Sequence, residues 1–272
     1  MGQFEQIQTR KAISSYGGVG SIIETRDGSI LIDNFNEWPF FQAINGRFEE
    51  HNIVVDKRFK NRLSKYFQEL EHLVKIPVNE LKQGYKPDNQ FAFLSAKYFP
   101  EWFYCNNCSR FDKFDNWKKN WENNVCSEHK DNFYPPKCYH CYVKNRGKKR
   151  KFYDLEQVRF ILTSPNGEIA DIPWDKWAMF RNTKKDNKKE PKETVSEEDI
   201  ITLANIQVSE DAIFEYKTSD KLDDLKGIWI IAKRKNGEQL NFTTLSGLFN
   251  LRMKIQDLIP NTKETDILFK PV

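Results

Sequence analysis

The chain of 272 residues is 39% hydrophobic and 14% aromatic, a composition that excludes an intrinsically disordered protein. Its net charge of +4 is small, so nucleic-acid binding must be argued from local clusters of charge rather than from the chain as a whole. The sequence has no run of about 18 apolar residues and no apolar secretory stretch, and we therefore expect a cytoplasmic protein without membrane contact, whose thiols are reduced.

In the N-terminal region the sequence predicts a β-hairpin, a helix and a strand. The stretch "SIIETRDGSILIDNF" alternates around Asp27-Gly28, a pair that tolerates the positive φ of a tight turn. Between Asp56 and Lys75 apolar residues recur at helical spacing, and Asp56 can cap that helix. The apolar positions of this predicted helix are Phe59, Leu63, Phe67, Leu70 and Val74. The stretch "QFAFLSAKYF" resembles a strand that leads into a cysteine-rich region.

Two C-x2-C pairs predict a metal site. The first pair is Cys105 and Cys108, and the second is Cys138 and Cys141. Zn²⁺ takes four soft ligands in a tetrahedron, and each pair can turn two sulfurs toward one ion. The spacer is longer than the usual length of about 15–20 residues, but loop-closure entropy grows only logarithmically with length. All four positions would be filled by protein, so the sequence predicts a structural zinc.

Other possible ligands lie close to these pairs. Cys126 and His129 form a C-x2-H inside the spacer and could replace one pair of cysteines, and His140 lies within the second pair. Two closed zinc sites need eight ligands, and the five cysteines with these two histidines supply seven. We therefore predict one zinc per chain. The remaining alternative is that the thiols are buried and bind no metal.

A run of positive charge follows the second pair. It has no acidic residue, and its cations are Lys144, Arg146, Lys148, Lys149, Arg150 and Lys151. Such a cluster suits phosphate contacts, and nearby aromatic residues could stack on bases. These aromatic residues are Tyr139, Tyr142, Phe152 and Tyr153. The run is therefore a candidate nucleic-acid-binding segment, with an ordinary solvated loop as the alternative.

The C-terminal region reads as further hairpins and short helices. The sequence predicts a hairpin at Asn166-Gly167, a short helix over Asp175 to Arg181 and an exposed Lys-rich loop over 182–199. Strands are predicted over Ala212 to Lys217 and Gly227 to Arg234, followed by a turn at Asn236-Gly237 into another strand. The stretch "LSGLFNLRMKIQDLI" reads as a helix, and "DILFKPV" reads as a strand.

Together these elements predict an α+β protein of mixed β-hairpins and helices with an inserted zinc-ribbon-like module. We divide the chain into an N-terminal α+β domain (1–98), a zinc-ribbon-like insertion (99–145) and a C-terminal α+β region (146–272).

Motifs for catalysis are mostly missing from the sequence. It contains no P-loop, nucleophile elbow, H-E-x-x-H or kinase signature. Glu215 and Lys217 form an E-x-K on a predicted strand, which a Mg²⁺-dependent nuclease could use. The same pattern is common on the polar face of an ordinary strand, so we assign no catalytic residue and expect a protein that is not an enzyme.

Three stretches in the same order resemble the DrmB-like family of the DISARM anti-phage system. They are "RKAISSYGGVGSIIETRDGSILIDNFNEW", "YFPEWFYCNNC" and "VRFILTSPNGEIADIPWDKWAMF", the last with Asp171, Pro173 and Trp174 as an Asp-x-Pro-Trp motif. The resemblance covers Arg10 to Phe180 in patches. Where the family has a Cys and a Gly-His, this sequence has Ser164 and Gly167-Glu168.

The resemblance implies a non-enzymatic subunit, an N-terminal portion or short member of the family, that partners a DrmA-like Swi/Snf-type helicase and engages DNA. The alternatives from the residues are a protein-interaction scaffold without nucleic-acid contact and the Mg²⁺ nuclease that uses Glu215 and Lys217.

Overall fold

Short antiparallel strands and short helices make up the computed structural model, which describes residues 17–44, 50–75, 94–145, 152–180, 200–219, 225–258 and 268–272. The strands are β1 (Ile22–Thr25), β2 (Gly28–Ile32), β3 (Ile53–Val54), β4 (Leu73–Val74), β5 (Ala96–Tyr98), β6 (Trp102–Tyr104), β7 (Arg110–Lys113), β8 (Glu156–Gln157), β9 (Ile161–Thr163), β10 (Ile169–Asp171), β11 (Ala212–Thr218), β12 (Ile228–Arg234), β13 (Gln239–Thr244), β14 (Met253–Lys254) and β15 (Leu268–Pro271). The α-helices are α1 (Pro39–Ile44), α2 (Lys57–Leu63), α3 (Phe114–Asn124), α4 (Tyr139–Lys144), α5 (Trp174–Met179) and α6 (Ile255–Leu258). The 3-10 helices are Phe35–Glu37, Glu50–Asn52, Ser127–Phe133, Leu225–Gly227 and Leu248–Asn250.

This mixture of helices and antiparallel sheets confirms the predicted α+β class with a zinc-ribbon-like module. The chain divides into two units, one within Glu5–Tyr98 and the other within Phe99–Val272. The three-part division at residues 98 and 145 stays a prediction.

The predicted N-terminal hairpin is confirmed. Strands β1 and β2 pair antiparallel with Thr25 opposite Gly28, and Gly28 has a φ of 135° that favours glycine at this turn. Strand β5 adds to the other side of β2. Ile32 and Trp38 form the small buried core of this unit, and the Trp38 indole donates a hydrogen bond to the Asp33 carbonyl at 2.9 Å. The hairpin therefore packs its apolar face against the segment that follows it.

The predicted helix over Asp56 to Lys75 is correct at its start and wrong over most of its length. The Asp56 carboxylate accepts from the Phe59 amide at 2.8 Å and caps α2, but the helix ends at Leu63. The Ser64 hydroxyl donates to the Lys60 carbonyl at 2.9 Å, and Leu73–Val74 pairs with β3 as strand β4. The helix is therefore shorter than its apolar spacing predicts, because a side-chain hydrogen bond at Ser64 and the pairing of β4 with β3 favour other structure after Leu63.

A six-stranded antiparallel sheet organises the second unit, in the order β13-β12-β11-β7-β6-β8. The predicted strands over Ala212 to Lys217 and Gly227 to Arg234 correspond to β11 and β12, which pair in full register. The turn before β13 has Gly237 at a φ of 91°, as its Asn-Gly pair predicts. Strand β11 also pairs with β7, so the cysteine-rich region and the C-terminal strands share one sheet.

The main core lies between this sheet, helix α5 and a four-stranded sheet in the order β10-β9-β15-β14. Its largest fully buried residues include Trp174, Trp177 and Phe269. The Trp177 indole donates to the Thr244 carbonyl at 3.2 Å and so ties α5 to β13. The hairpin predicted at Asn166-Gly167 and the strand predicted in "DILFKPV" are both present, as β9–β10 and β15.

The Asp-x-Pro-Trp motif has a packing role in this core. Both carboxylate oxygens of Asp171 accept from the Glu101 amide at 3.1 Å, and Trp174 begins α5 with its side chain fully buried. The motif therefore joins the start of the β6–β7 hairpin to the four-stranded sheet.

The helix predicted in "LSGLFNLRMKIQDLI" is mostly wrong. This stretch forms the 3-10 helix Leu248–Asn250, strand β14 and the four-residue α6. Gly247 has a φ of 77°, a left-handed conformation that interrupts a helix. Leu251, Met253 and Ile255 are all buried, and their two-residue spacing is that of a strand rather than a helix.

Candidate metal centre

The hairpin β6–β7 positions the first pair of cysteines at its turn. The Cys105 amide donates to the Arg110 carbonyl at 2.9 Å, and the Ser109 amide donates to the Cys105 carbonyl at 2.7 Å. Ser109 has a φ of 60°, an uncommon conformation for a residue with a side chain. The chain thus folds back sharply between β6 and β7. The thiols of Cys105 and Cys108 both lie next to the second pair of cysteines.

Helix α4 positions the second pair. Cys138 caps this helix, and its Sγ accepts from the Cys141 amide at 3.4 Å. The Cys138 amide donates to the Tyr153 carbonyl at 2.9 Å. An ion pair of 2.8 Å between Lys137 and Asp154 lies next to this contact. The segments before and after α4 are therefore joined. This contact holds in place the second knuckle, by which we mean the turn of one C-x2-C pair.

The four sulfurs of Cys105, Cys108, Cys138 and Cys141 converge, and their ligand atoms all lie within 4.8 Å of one another. The Cys105–Cys141 Sγ separation is 3.7 Å, and the Cys108–Cys138 separation is 3.6 Å. Both are far longer than a disulfide bond of about 2.05 Å. They agree with the edge of a tetrahedron of about 3.8 Å, which follows from metal–sulfur bonds of about 2.3 Å. The cluster therefore suits a four-coordinate metal ion.

Electrostatics of the cluster favour a bound cation. Hydrogen bonds from the Cys108 and Cys138 thiols lower the pKa of Cys105, and the same bonds raise the pKa of Cys108 and of Cys138 by favouring their protonated forms. One thiolate therefore suppresses the ionisation of its neighbours. A divalent cation removes this conflict, because each ligand binds as a thiolate. The Asn107 amide donates to the Cys141 sulfur at 3.2 Å and adds a polar contact to the cluster.

Cys126 and His129 do not take the place of either cysteine pair. Together with Glu128 they form a second group of possible metal ligands, so the structure does not support the alternative ligand set that includes them. His140 is outside both groups as well. Burial, with the nearby charges of Arg110 and Lys144, lowers the pKa of His140.

Helix α3 packs the two knuckles together from the spacer between them. Trp117 and Trp121 are buried, and the Trp117 indole donates to the Phe103 carbonyl at 3.1 Å. The Trp117 and Tyr139 rings meet edge to face at 5.5 Å, which brings α3 against α4. Both tryptophans therefore pack next to the segments that carry the cysteine pairs. Phe111 instead faces the main core, 4.7 Å from the Trp102 ring centroid.

The basic run begins inside the described residues and continues beyond them. Lys144 is exposed at the last residue of α4. The remaining predicted cations lie outside the described residues, and they are Arg146, Lys148, Lys149, Arg150 and Lys151. The predicted loop 182–199 lies outside the described residues as well. The expectation that Tyr142 stacks on bases is wrong, because it is only 5% exposed and its ring stacks on Phe152 at 5.9 Å.

Glu215, the acid of the possible nuclease motif, is neutralised by lysines on its own sheet. Its carboxylate lies 2.6 Å from the Lys233 ammonium and 3.2 Å from that of Lys217. Burial alone would raise the pKa of Glu215, but the hydrogen bond from Lys233 and the positive charges of both lysines outweigh it and the pKa is lowered. Among the described residues, Glu215 belongs to neither group of three or more possible metal ligands.

Residues missed from the sequence include Asn107 and Glu128, and the contact of the Tyr142 hydroxyl with Cys126 and His129 is missed as well. Glu128 carries a usable signal, because an acid between Cys126 and His129 adds a third ligand type within four residues. Asn107 and Tyr142 carry none, since their contacts arise from the packing of α4 against other segments.

Among the described helices, none has both the length and the apolar character that crossing a membrane requires.

Comparisons with known proteins identify the family. A search among curated proteins finds no match. The family model of DUF8724, described as a domain of unknown function, matches residues 8–228. This range includes both cysteine pairs, the basic run, and the sheet as far as the first residue of β12. The chain therefore belongs to the DUF8724 family.

Proposed function

We propose that this protein is a zinc-stabilised, non-enzymatic subunit of an anti-phage defence complex, in which it contacts nucleic acid and assists a helicase partner. One observation carries the proposal. The four-sulfur cluster includes Cys138, which caps α4, and the exposed Lys144 ends the same helix. The four-sulfur cluster therefore anchors the helix whose last residue is the first cation of the basic run. The proposed partners, a Swi/Snf-type, DrmA-like helicase and DNA, rest on the resemblance to DrmB-like proteins of DISARM systems.

Zinc is the metal that best suits the four-sulfur cluster. Four thiolates in tetrahedral arrangement bind zinc or iron, and structural zinc sites in proteins are commonly closed by four cysteines. Cys105, Cys138 and Cys141 are buried and Cys108 is partly buried, so little of the cluster faces solvent. A closed site has no open position for activating water, and its role is to hold the two knuckles and α3 together.

A second cationic segment, residues 57–67 of the unit within Glu5–Tyr98, also supports nucleic-acid contact. It has no acidic residue, and its exposed cations alternate along the chain with exposed aromatic residues: Lys57, Arg58, Phe59, Arg62, Lys65, Tyr66 and Phe67. Tyr66 is 77% exposed and Phe67 is 61% exposed. Cations that track a phosphate backbone and aromatic rings that stack on bases are the usual parts of a surface for single-stranded nucleic acid.

The salt dependence of DNA binding tests the proposal. If the protein makes about five phosphate contacts, its affinity for a single-stranded oligonucleotide should fall about 130-fold between 50 and 200 mM salt. Fluorescence anisotropy with a labelled single strand measures this slope. Replacing Lys148, Lys149, Arg150 and Lys151 with alanine should weaken binding and flatten the slope.

The loop 182–199 offers a matched control for that variant. Four of its lysines, Lys184, Lys185, Lys188 and Lys189, alternate with acids along the loop, and replacing them with alanine removes the same amount of charge. We expect this variant to retain most of the affinity and of the slope. Equal effects of the two variants, or no salt-dependent binding by the unaltered chain, would contradict the proposal.

An interaction scaffold is the second candidate, because the same aromatic surface could bury against a protein. Val55 is 84% exposed beside the exposed Phe59, and large exposed apolar patches commonly mark protein interfaces. The anisotropy titration separates the two candidates. The titration is repeated with a labelled duplex. A scaffold without nucleic-acid contact should bind neither the single strand nor the duplex at 50 mM salt.

A further inference from the structure

Cys126, His129 and Tyr142 meet in a triangle of nearly equal sides. The Cys126 sulfur lies 3.1 Å from His129 Nδ1 and 3.0 Å from the Tyr142 hydroxyl, and that hydroxyl lies 3.0 Å from Nδ1. Cys126 caps the 3-10 helix Ser127–Phe133, which carries His129, and Tyr142 comes from α4. Two separate segments thus bring three polar atoms to one point.

Hydrogen bonds alone do not account for all three sides of this triangle. An imidazole nitrogen has a single site in the plane of its ring, which either donates or accepts. Nδ1 of His129 can therefore serve fully only one of its two contacts, with the sulfur or with the hydroxyl. A metal ion bound to both atoms would accept one lone pair from the sulfur and one from the nitrogen, and so would account for their close approach.

Glu128 adds an acidic oxygen to the group. Its carboxylate, the Cys126 sulfur and a ring nitrogen of His129 lie within 4.8 Å of one another. A thiolate, an imidazole and a carboxylate are the three ligand types that zinc takes in proteins. Zinc bonds of about 2.3 Å to sulfur and about 2.1 Å to nitrogen separate these two atoms by about 3.6 Å, so binding would widen the present 3.1 Å separation by about 0.5 Å.

We propose that Cys126, Glu128 and His129 bind a second divalent transition-metal ion, separate from the ion of the four-cysteine cluster. Three protein ligands leave one tetrahedral position for water beside the Tyr142 hydroxyl. Aromatic rings wall this site: Phe152 meets His129 edge to face at 5.6 Å, and Trp121 lies 5.6 Å from Tyr142. The first site is closed and structural, whereas this second site is partly open and can exchange its fourth ligand. It does not depend on nucleic-acid binding.

Metal stoichiometry tests the second site. The full chain is equilibrated with Zn²⁺, freed of unbound metal by gel filtration and analysed for zinc and protein. We expect two ions per chain for the unaltered protein and one for Cys126→Ser or His129→Gln. In parallel, Co²⁺ titration should show the absorption of the tetrathiolate site first and a weaker sulfur-to-cobalt band afterwards, because the second site has a single thiolate. The weaker band should be lost in Cys126→Ser.

Glu128→Gln is the variant that protects the test from misfolding. Glu128 is exposed, so its replacement should leave the far-ultraviolet circular dichroism unchanged. It should weaken the second binding step by about tenfold or more and leave the first step unaltered. One ion per chain in the unaltered protein, or two ions in both Cys126→Ser and His129→Gln, would show that the triangle is a hydrogen-bonded contact without metal.

Discussion

Glu215 shows how much the neighbours of a single side chain decide about its role. In the sequence, its E-x-K spacing with Lys217 is compatible with a magnesium-dependent nuclease. In the sheet, Lys233 on β12 lies opposite Ile213 and reaches Glu215 diagonally across the two strands. The contact of 2.6 Å makes Glu215 the centre of an ion-pair group. The partner on β12 cannot be predicted from spacing along the chain, because it depends on the register of two strands.

Glu215→Gln should destabilise the protein by about 1–2 kcal/mol, the range for charged hydrogen bonds that are partly open to solvent. The change leaves Lys217 and Lys233 near each other without a counter-charge. Because the folded-state pKa of Glu215 lies below its ordinary 4.5, its stabilisation is present above that pH and is lost as the pH falls through the folded-state value. Urea unfolding between pH 3 and 7 should therefore show a smaller acid loss for the variant.

Glu238→Gln is the matched control for this substitution. Glu238 pairs with Arg234 at 2.7 Å, but both side chains are largely exposed, so the change should cost less than about 0.5 kcal/mol. If Glu215→Gln and Glu238→Gln have the same small effect, or if the acid dependence of the Glu215 variant matches that of the unaltered protein, the ion-pair group does not stabilise the sheet.

Single residues of the metal centre differ in how far the sequence predicts them. The four cysteines could be predicted, because each C-x2-C requires only a local turn to bring two sulfurs together. Tyr142 could not, because its hydroxyl reaches Cys126 only when α4 packs against the segment after α3. Its burial also makes it unsuitable for the stacking role that its position beside the basic run suggests.

Among the elements, the hairpins were predictable and two of the helices were not. Asp-Gly and Asn-Gly pairs mark turns through a local backbone preference, so β1–β2, β9–β10 and β12–β13 follow from sequence. Apolar spacing is weaker evidence, because it assumes a neighbour that covers the apolar face. Phe59 and Phe67 have helical spacing but are mostly exposed, and the residues around Leu251 pair with other strands instead.

The zinc-ribbon-like elements should depend on the four-cysteine cluster and not on Cys126. Binding of structural zinc contributes about 10–16 kcal/mol in zinc-finger peptides, which exceeds the stability of many whole domains. Cys138→Ser should therefore abolish the cooperative unfolding of this region, and a strong chelator should do the same to the unaltered protein. Thermal unfolding followed by tryptophan fluorescence measures both effects, and Trp117 and Trp121 are two of the seven tryptophans that contribute to this signal.

Cys126→Ser is the control, since it also removes one thiol from the same region. Cys126 is only partly buried and lies outside the four-sulfur cluster, so this variant should keep a cooperative transition. The opposite pattern, with Cys126→Ser unfolded and Cys138→Ser folded, would assign the structural metal to the other group of ligands.

At the scale of the whole molecule, the sheet that crosses the predicted boundary at residue 145 is the feature that sequence could not supply. Strand β7 pairs with β11, about a hundred residues later in the chain, and loop closure over such distances leaves no local pattern. The same pairing places β6 and β7 between β8 and β11 in one sheet. The turn that carries Cys105 and Cys108 is therefore continuous with two inner strands of that sheet.

The structural effect of removing the metal should consequently extend beyond residues 99–145. Without the cluster, the β6–β7 turn loses its anchor to α4, and β11 loses a partner that satisfies part of its backbone. Hydrogen exchange measured by mass spectrometry should show lost protection in β6 and β7 and also in β11 after chelation. The hairpin β1–β2, in the unit within Glu5–Tyr98, should retain its protection and serves as the internal reference. Loss confined to 99–145 would mean that the zinc-ribbon-like region folds separately, because β11 would then keep its hydrogen bonds through β12 alone.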